Sequence, residues 1–136
     1  MNLAEGRIVT GRKIMQEISV INTITVPAGM EDTAEQVRDE YVRYFEGQAG
    51  FVRSTFYKSI EKEADGSTRY VNIVVWESYE HFQSVVNRGF NNAEGENRDG
   101  YRVLGKGFPE PIAISPGRFV TLREDGPKGL DDTALD

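Results

Sequence analysis

Apolar and polar positions alternate most cleanly between Ile18 and Val26. There Ile18, Val20, Asn22, Ile24 and Val26 fall on one face of a period-2 strand, and Ser19, Ile21, Thr23 and Thr25 on the other. Pro27-Ala28-Gly29 ends that strand. Asp32 or Thr33 then stands where a helix cap belongs, and Glu35 and Gln36, three residues on, complete a capping-box pattern. Ala34, Val37, Tyr41, Tyr44 and Phe45 recur at helical spacing, so the predicted helix carries one apolar stripe before the Gly47–Gly50 segment closes it.

Phe51–Ile60 reads as a second strand and Tyr70–Trp76 as a third. The connection EKEADGST contains an Asp-Gly turn, which predicts a hairpin. Ser78 caps a second, shorter helix that turns Phe82, Val85 and Val86 inward and ends near Arg88-Gly89. Residues 90–112 are rich in Gly, Asn and charge, with a turn of helix expected around Tyr101–Leu104. Ile112–Leu122 predicts a last strand, interrupted at Pro116-Gly117. The order β-α-β-β-α-β predicts an α+β fold of the ferredoxin-like kind, an antiparallel sheet with both helices on one face. The expected organisation is an N-terminal arm (1–16), one domain (17–123) and a disordered acidic tail (124–136).

Composition narrows the chemistry. The 136 residues suit one domain, and 38% apolar with 28% charged residues is ordinary for a globular chain. A formal charge of −6 argues against nucleic acid or an anionic membrane as partner, since both select basic surfaces. There is no cysteine, which removes disulfides and thiolate chemistry, and a single histidine cannot build a histidine-rich metal site. No apolar run approaches the ~20 residues that span a bilayer. The first residues lack the apolar core of a signal peptide, so the cytoplasm is the expected compartment.

The segment YVNIVVWESYEHF, Tyr70 to Phe82, carries the candidate chemistry. Asn72 and the only tryptophan, Trp76, lie four residues apart on one strand face. Val71, Ile73 and Val75 make the other face apolar too, which predicts helices over one side and a second copy of the chain over the other, hence a homodimer. Functionally, Asn72 would donate to a substrate carbonyl or enolate while the Trp76 indole packs on a flat ring. The bland alternative is an amide bonded to nearby backbone beside a core tryptophan. Asn22 poses the same choice on the first strand. His81 alone has an ordinary pKa suited to proton transfer near neutrality, yet it sits one position off the inward stripe, as a surface histidine would. Arg88, Arg98 and Arg102 read either as holders of a phenolate or as solvated loop charge. No GxGxxG or Walker sequence supports nucleotide or flavin binding.

From about Ile18 to Leu122 the chain resembles the antibiotic biosynthesis monooxygenase family. The stretches NTITVPAGMEDT, QAGFV, YVNIVVWES and SPGRFV carry the likeness in that order. The resemblance implies ferredoxin-like subunits paired as a dimeric α+β barrel, each with a pocket between sheet and helices. It implies a cofactor-independent monooxygenase oxidising an electron-rich aromatic (a phenol, anthrone or quinol) with dioxygen. Taking residues and resemblance together, Asn72, Trp76 and His81 are the expected catalytic residues and Asn22, Phe82 and Tyr41 the expected substrate contacts, with no metal. Oxygenases of the polyketide-phenol type carry a tyrosine six residues after the tryptophan, where this chain has Phe82. Tyr41, Tyr44, Tyr57 and Tyr101 are the alternatives for that proton. The haem-degrading branch carries a second tryptophan and an iron-ligating histidine near the positions of Val85 and Gly95, which argues against haem. The alternative function is a dimeric barrel that binds a small ligand, or regulates, without catalysis.

Overall fold

The computed structural model describes residues 16–87 and 108–128. The N-terminal arm, the turn of helix expected around Tyr101–Leu104, and Arg88, Arg98 and Arg102 lie outside the described residues, as does the end of the tail. Strand β1 (Ile18–Val26) leads into helix α1 (Glu31–Glu46). Strands β2 (Phe51–Lys62) and β3 (Thr68–Trp76) follow, then the short helix α2 (Tyr79–Phe82) and strand β4 (Ala113–Phe119). Past Phe82 the chain continues as a π-helical turn, Gln83–Asn87. The four strands form one sheet in the order β2-β3-β1-β4, with every neighbouring pair antiparallel. This is the ferredoxin-like arrangement.

The alternation in β1 sets the inside of the molecule. Val20, Asn22, Ile24 and Val26 are buried while the residues between them are half-buried. β3 repeats the pattern with Tyr70, Asn72, Val74 and Trp76. Helix α1 closes over this face with Ala34, Tyr41, Val42 and Phe45 buried, and α2 with its π-helical turn adds Phe82, Val85 and Val86. Two clusters result. The larger joins Val20, Val74 and Trp76 to Tyr41, Phe45, Phe82, Val85 and Val86. The smaller joins Ile24, Val26, Ala34, Tyr70 and Ile112 at the other end of the sheet.

Local sequence explains most boundaries, with two differences. Helix α1 begins at Glu31 after Met30, which offers no side-chain cap, rather than from Asp32 or Thr33. A turn with Met30 N–H donating to the Pro27 carbonyl starts the helix early, and the Glu31 carboxylate accepts from the Gly29 N–H at 2.9 Å. The hydrogen bond from its own backbone N–H, then that from Gly29, holds the Glu31 carboxyl below the usual carboxylate range. β4 runs straight through Pro116-Gly117 instead of breaking there. Among the described residues it is an edge strand paired with β1 alone, and an edge tolerates a residue without an N–H. Ser78 caps α2 as expected, accepting the His81 N–H at 3.1 Å.

Candidate active site

Sheet register brings together residues that lie far apart in the chain. Asn22 of β1 stands directly opposite Asn72 of β3. Phe56 of β2 is the next neighbour of Asn72, and Pro116 of β4 the next neighbour of Asn22. One row across the sheet therefore reads Phe56–Asn72–Asn22–Pro116, with two amides at its centre on the face beneath the helices. Both asparagines are buried, at 3% and 6% exposure.

The amides open into a small cavity between sheet and helices. β1 contributes Val20 and Asn22, and β3 contributes Asn72, Val74 and Trp76. Tyr41 and Phe45 come from α1, Phe82 from α2, and Val86 from the π-helical turn. Its volume is about 20 Å³, room for about one water molecule. Trp76 is 1% exposed. Its indole is held edge-on by Phe45 at 5.4 Å and Phe51 at 5.9 Å between ring centroids, so its plane is fixed by packing.

The two amides are not equivalent. The Asn72 carbonyl accepts from Arg38 Nε at 2.9 Å. Among the described residues the Asn22 carbonyl oxygen has no hydrogen-bond partner. A buried acceptor left open costs about 1–3 kcal/mol, so an open carbonyl beside a cavity calls for a donor beyond the described residues. The wall is otherwise apolar and aromatic, and this low-polarity lining strengthens any hydrogen bond made inside it.

Five of the six residues singled out from sequence, Asn22, Tyr41, Asn72, Trp76 and Phe82, line this one cavity. His81 does not line it. Its Nδ1 lies 2.8 Å from Ser78 Oγ, and its ring rests on the backbone of Gly50, where a β-carbon would overlap it. Gly50 has φ +91°, which also favours glycine. His81 thereby ties the start of α2 to the turn before β2.

Sequence reasoning missed Arg38. Its side chain is only 13% exposed. Besides Asn72 it donates from Nη2 to Ser54 Oγ at 3.2 Å and from Nη1 to Asp39 at 3.0 Å. Its guanidinium lies 4.6 Å from the Phe56 ring centroid. The available signal was helical spacing. Arg38 follows Ala34 by four and precedes Tyr41 by three, which places a charge inside the buried stripe.

An open antiparallel sheet, two helices on one face and a polar pair in an apolar cavity between them define a ferredoxin-like α+β domain with an internal site. Residues 17–89 match the antibiotic biosynthesis monooxygenase family. The chain belongs to that family. No curated protein sequence matches it. Among solved structures it is similar to SnoaB, a cofactor-independent oxygenase from Streptomyces nogalater. That match has 26% identity and a TM-score of 0.55, covering 83% of this chain and 99% of that one. It is also similar to the heme-degrader MhuD from Mycobacterium tuberculosis, at 25% identity and TM-score 0.53 over 80% of this chain and 99% of the other. A protein from Shewanella loihica PV-4 shares the fold at 18% identity, with TM-score 0.60 and coverage of 82% and 100%. Among the described residues no helix is long and apolar enough to cross a membrane.

Proposed function

We propose that this protein is a cofactor-independent monooxygenase that oxidises an electron-rich aromatic, such as a phenol, anthrone or quinol, with dioxygen. The observation that carries the proposal is the buried pair Asn22–Asn72 facing an apolar cavity, one amide anchored and the other with an open acceptor. Family membership and the similarity to SnoaB support the reaction class.

The chemistry follows from the spin state of oxygen. Triplet dioxygen reacts slowly with closed-shell molecules, but an aromatic anion passes it one electron, and the radical pair collapses to a peroxide. For an anthrone the ring methylene loses two hydrogens and gains one oxygen as a carbonyl, while the second oxygen leaves as water. No external reductant is needed. The protein's task is to favour the anion, hold the ring plane and exclude water. The Asn72 NH2 serves the developing oxyanion, Trp76 sets the ring plane, and the Asn22 carbonyl accepts from a substrate hydroxyl. Tyr41 is the one cavity-lining side chain among the described residues with an acidic proton, and Phe82 adds only surface.

The cavity is far smaller than the ~300–1,000 Å³ of ligand pockets, so a ring needs its walls to part. Phe82 and Val86 are the movable wall, because they ride on a four-residue helix and a π-helical turn, a geometry frequent at functional sites. A haem fits this chain poorly. Its single histidine, His81, is engaged with Ser78 and Gly50 away from the cavity.

A second copy would cover the open face of the sheet. Val71 and Ile73 are half-buried there, while Tyr57 is 55% and Phe119 52% exposed. The assembly we propose is a homodimer paired through this face, checked by sedimentation at micromolar concentration.

Oxygen uptake with a panel of anthrones, quinols and phenols tests the reaction, with 18O2 tracing one atom into product. Wild-type turnover lost in Asn72→Ala and Trp76→Ala supports it. Full uptake by both variants overturns it. Anaerobic binding of the same compounds without any oxygen consumption instead identifies a ligand-binding module, the reading favoured by phenylalanine at position 82.

A further inference from the structure

We propose that Arg38 is the positioning residue that sets the polarity of the site, by dictating which end of the Asn72 amide faces the cavity. A primary amide carries a donor end and an acceptor end of nearly equal size, so packing alone does not choose between them. Arginine does. The guanidinium has only N–H donors, and its Nε lies 2.9 Å from Asn72 Oδ1. The carbonyl end of Asn72 is therefore turned to α1, and the NH2 is what Asn72 offers elsewhere.

The guanidinium is itself held on every side. Nη2 donates to Ser54, Nη1 to Asp39, and the plane lies over Phe56. Phe56 is also the cross-strand neighbour of Asn72. Burial to 13% exposure leaves the charge weakly screened. A positive charge on the carbonyl end draws electron density through the amide and makes its N–H a stronger donor. Asn22, directly opposite, keeps a carbonyl oxygen with no partner among the described residues. The pair then reads its guest with opposite signs. Asn72 takes a carbonyl or oxyanion, and Asn22 takes a hydroxyl.

The catalytic consequence rests on the proposed oxygenase reading, but the orientation of Asn72 does not, and the tests separate the two. Glutamine places an N–H2 at the same number of bonds from the backbone as the arginine Nε, so Arg38→Gln keeps the donor and loses the charge. Arg38→Met keeps the apolar stem and loses both. The first measurement is the side-chain NH2 resonance of Asn72 in 15N-labelled protein, assigned by its loss in Asn72→Asp. It should move strongly in Arg38→Met and less in Arg38→Gln, with both variants shown folded by thermal unfolding. The second is turnover. Arg38→Met should lower kcat by about 10–100-fold, by analogy with the loss of a hydrogen-bond partner that orients a metal ligand, with KM little changed and Arg38→Gln recovering part of the loss. An Asn72 resonance unmoved in Arg38→Met overturns the positioning role, as does equal kcat loss in the two variants. Absence of turnover by the wild type overturns the proposed reaction alone, because the resonance measurement decides the orientation without it.

Discussion

Two polar places lie on the same helix-covered face of the sheet, and the protein treats them oppositely. At one end Tyr70, 1% exposed, donates its hydroxyl to the Glu35 carboxylate at 2.6 Å, and Thr68 donates to Glu31 at 3.3 Å. Phe56 stacks on the Tyr70 ring at 5.1 Å between centroids. Here α1 supplies the partner for each buried hydroxyl. One row along, α1 supplies Arg38 to Asn72 but nothing among the described residues to the Asn22 carbonyl. Both places bury polar atoms among apolar neighbours. Among the described residues the second leaves a carbonyl open, and it borders a cavity. A satisfied polar group is accounted for by folding, whereas an open one beside a cavity points to a ligand.

The contrast predicts opposite signs of response. The largest effect belongs to Asn72→Ala, which removes the donor proposed for the oxyanion. Its kcat for oxygen uptake should fall about 10²–10³-fold, the cost of one such donor elsewhere, and a loss under tenfold would break the contrast. Gly50→Ala comes next. A methyl would overlap the His81 ring at a positive φ, so the unfolding free energy should drop by about 1–3 kcal/mol, measured in urea. His81→Ala relieves that overlap, and its own turnover should stay near wild type. A steep kcat loss in His81→Ala would instead make His81 a proton carrier.

Tyr70→Phe should cost about 1 kcal/mol, kept small because Glu35 is partly exposed and screened. It also carries a pH signature. Burial first, and then the Glu35 carboxylate, push the Tyr70 hydroxyl well above its ordinary value. The folded pKa thus exceeds the unfolded one of about 10, so the contribution is full below pH 10 and fades as pH rises beyond it. Wild type should lose stability along that alkaline limb more steeply than Tyr70→Phe, as followed by circular dichroism. The smallest effect on stability is expected from Asn22→Val. It removes the open carbonyl and suits a strand, so the unfolding midpoint should hold or rise while turnover falls. A clear destabilisation would show that the Asn22 amide is satisfied by the fold.

Much of this architecture was legible in single segments. The alternation of Ile18–Val26, the Asp65-Gly66 turn of the hairpin, the Ser78 cap and the apolar stripe on α1 each depend on neighbours within a few residues, and local periodicity reports such neighbours directly. The same rule placed Asn22 inward on its strand, and Asn72 with Trp76 inward on theirs. Two boundaries depart from expectation, one through a local turn and one through the strand's place in the sheet. Glu31 takes over the start of α1 because a turn from Pro27 delivers it there. β4 passes through Pro116 because it lies at an edge.

By itself, then, the sequence determined the order of elements, the face each strand turns inward and the residue types that reach the interior. Tertiary structure alone decided that Asn22 stands opposite Asn72, that Arg38 reaches the Asn72 carbonyl from α1, and that His81 is spent on Ser78 and Gly50. The physical reason is register. Period-2 alternation states which side of the sheet a residue faces, but only the hydrogen-bonded ladder states which residue it faces there. A donor from a helix 34 positions away then fixes which end of the amide is offered.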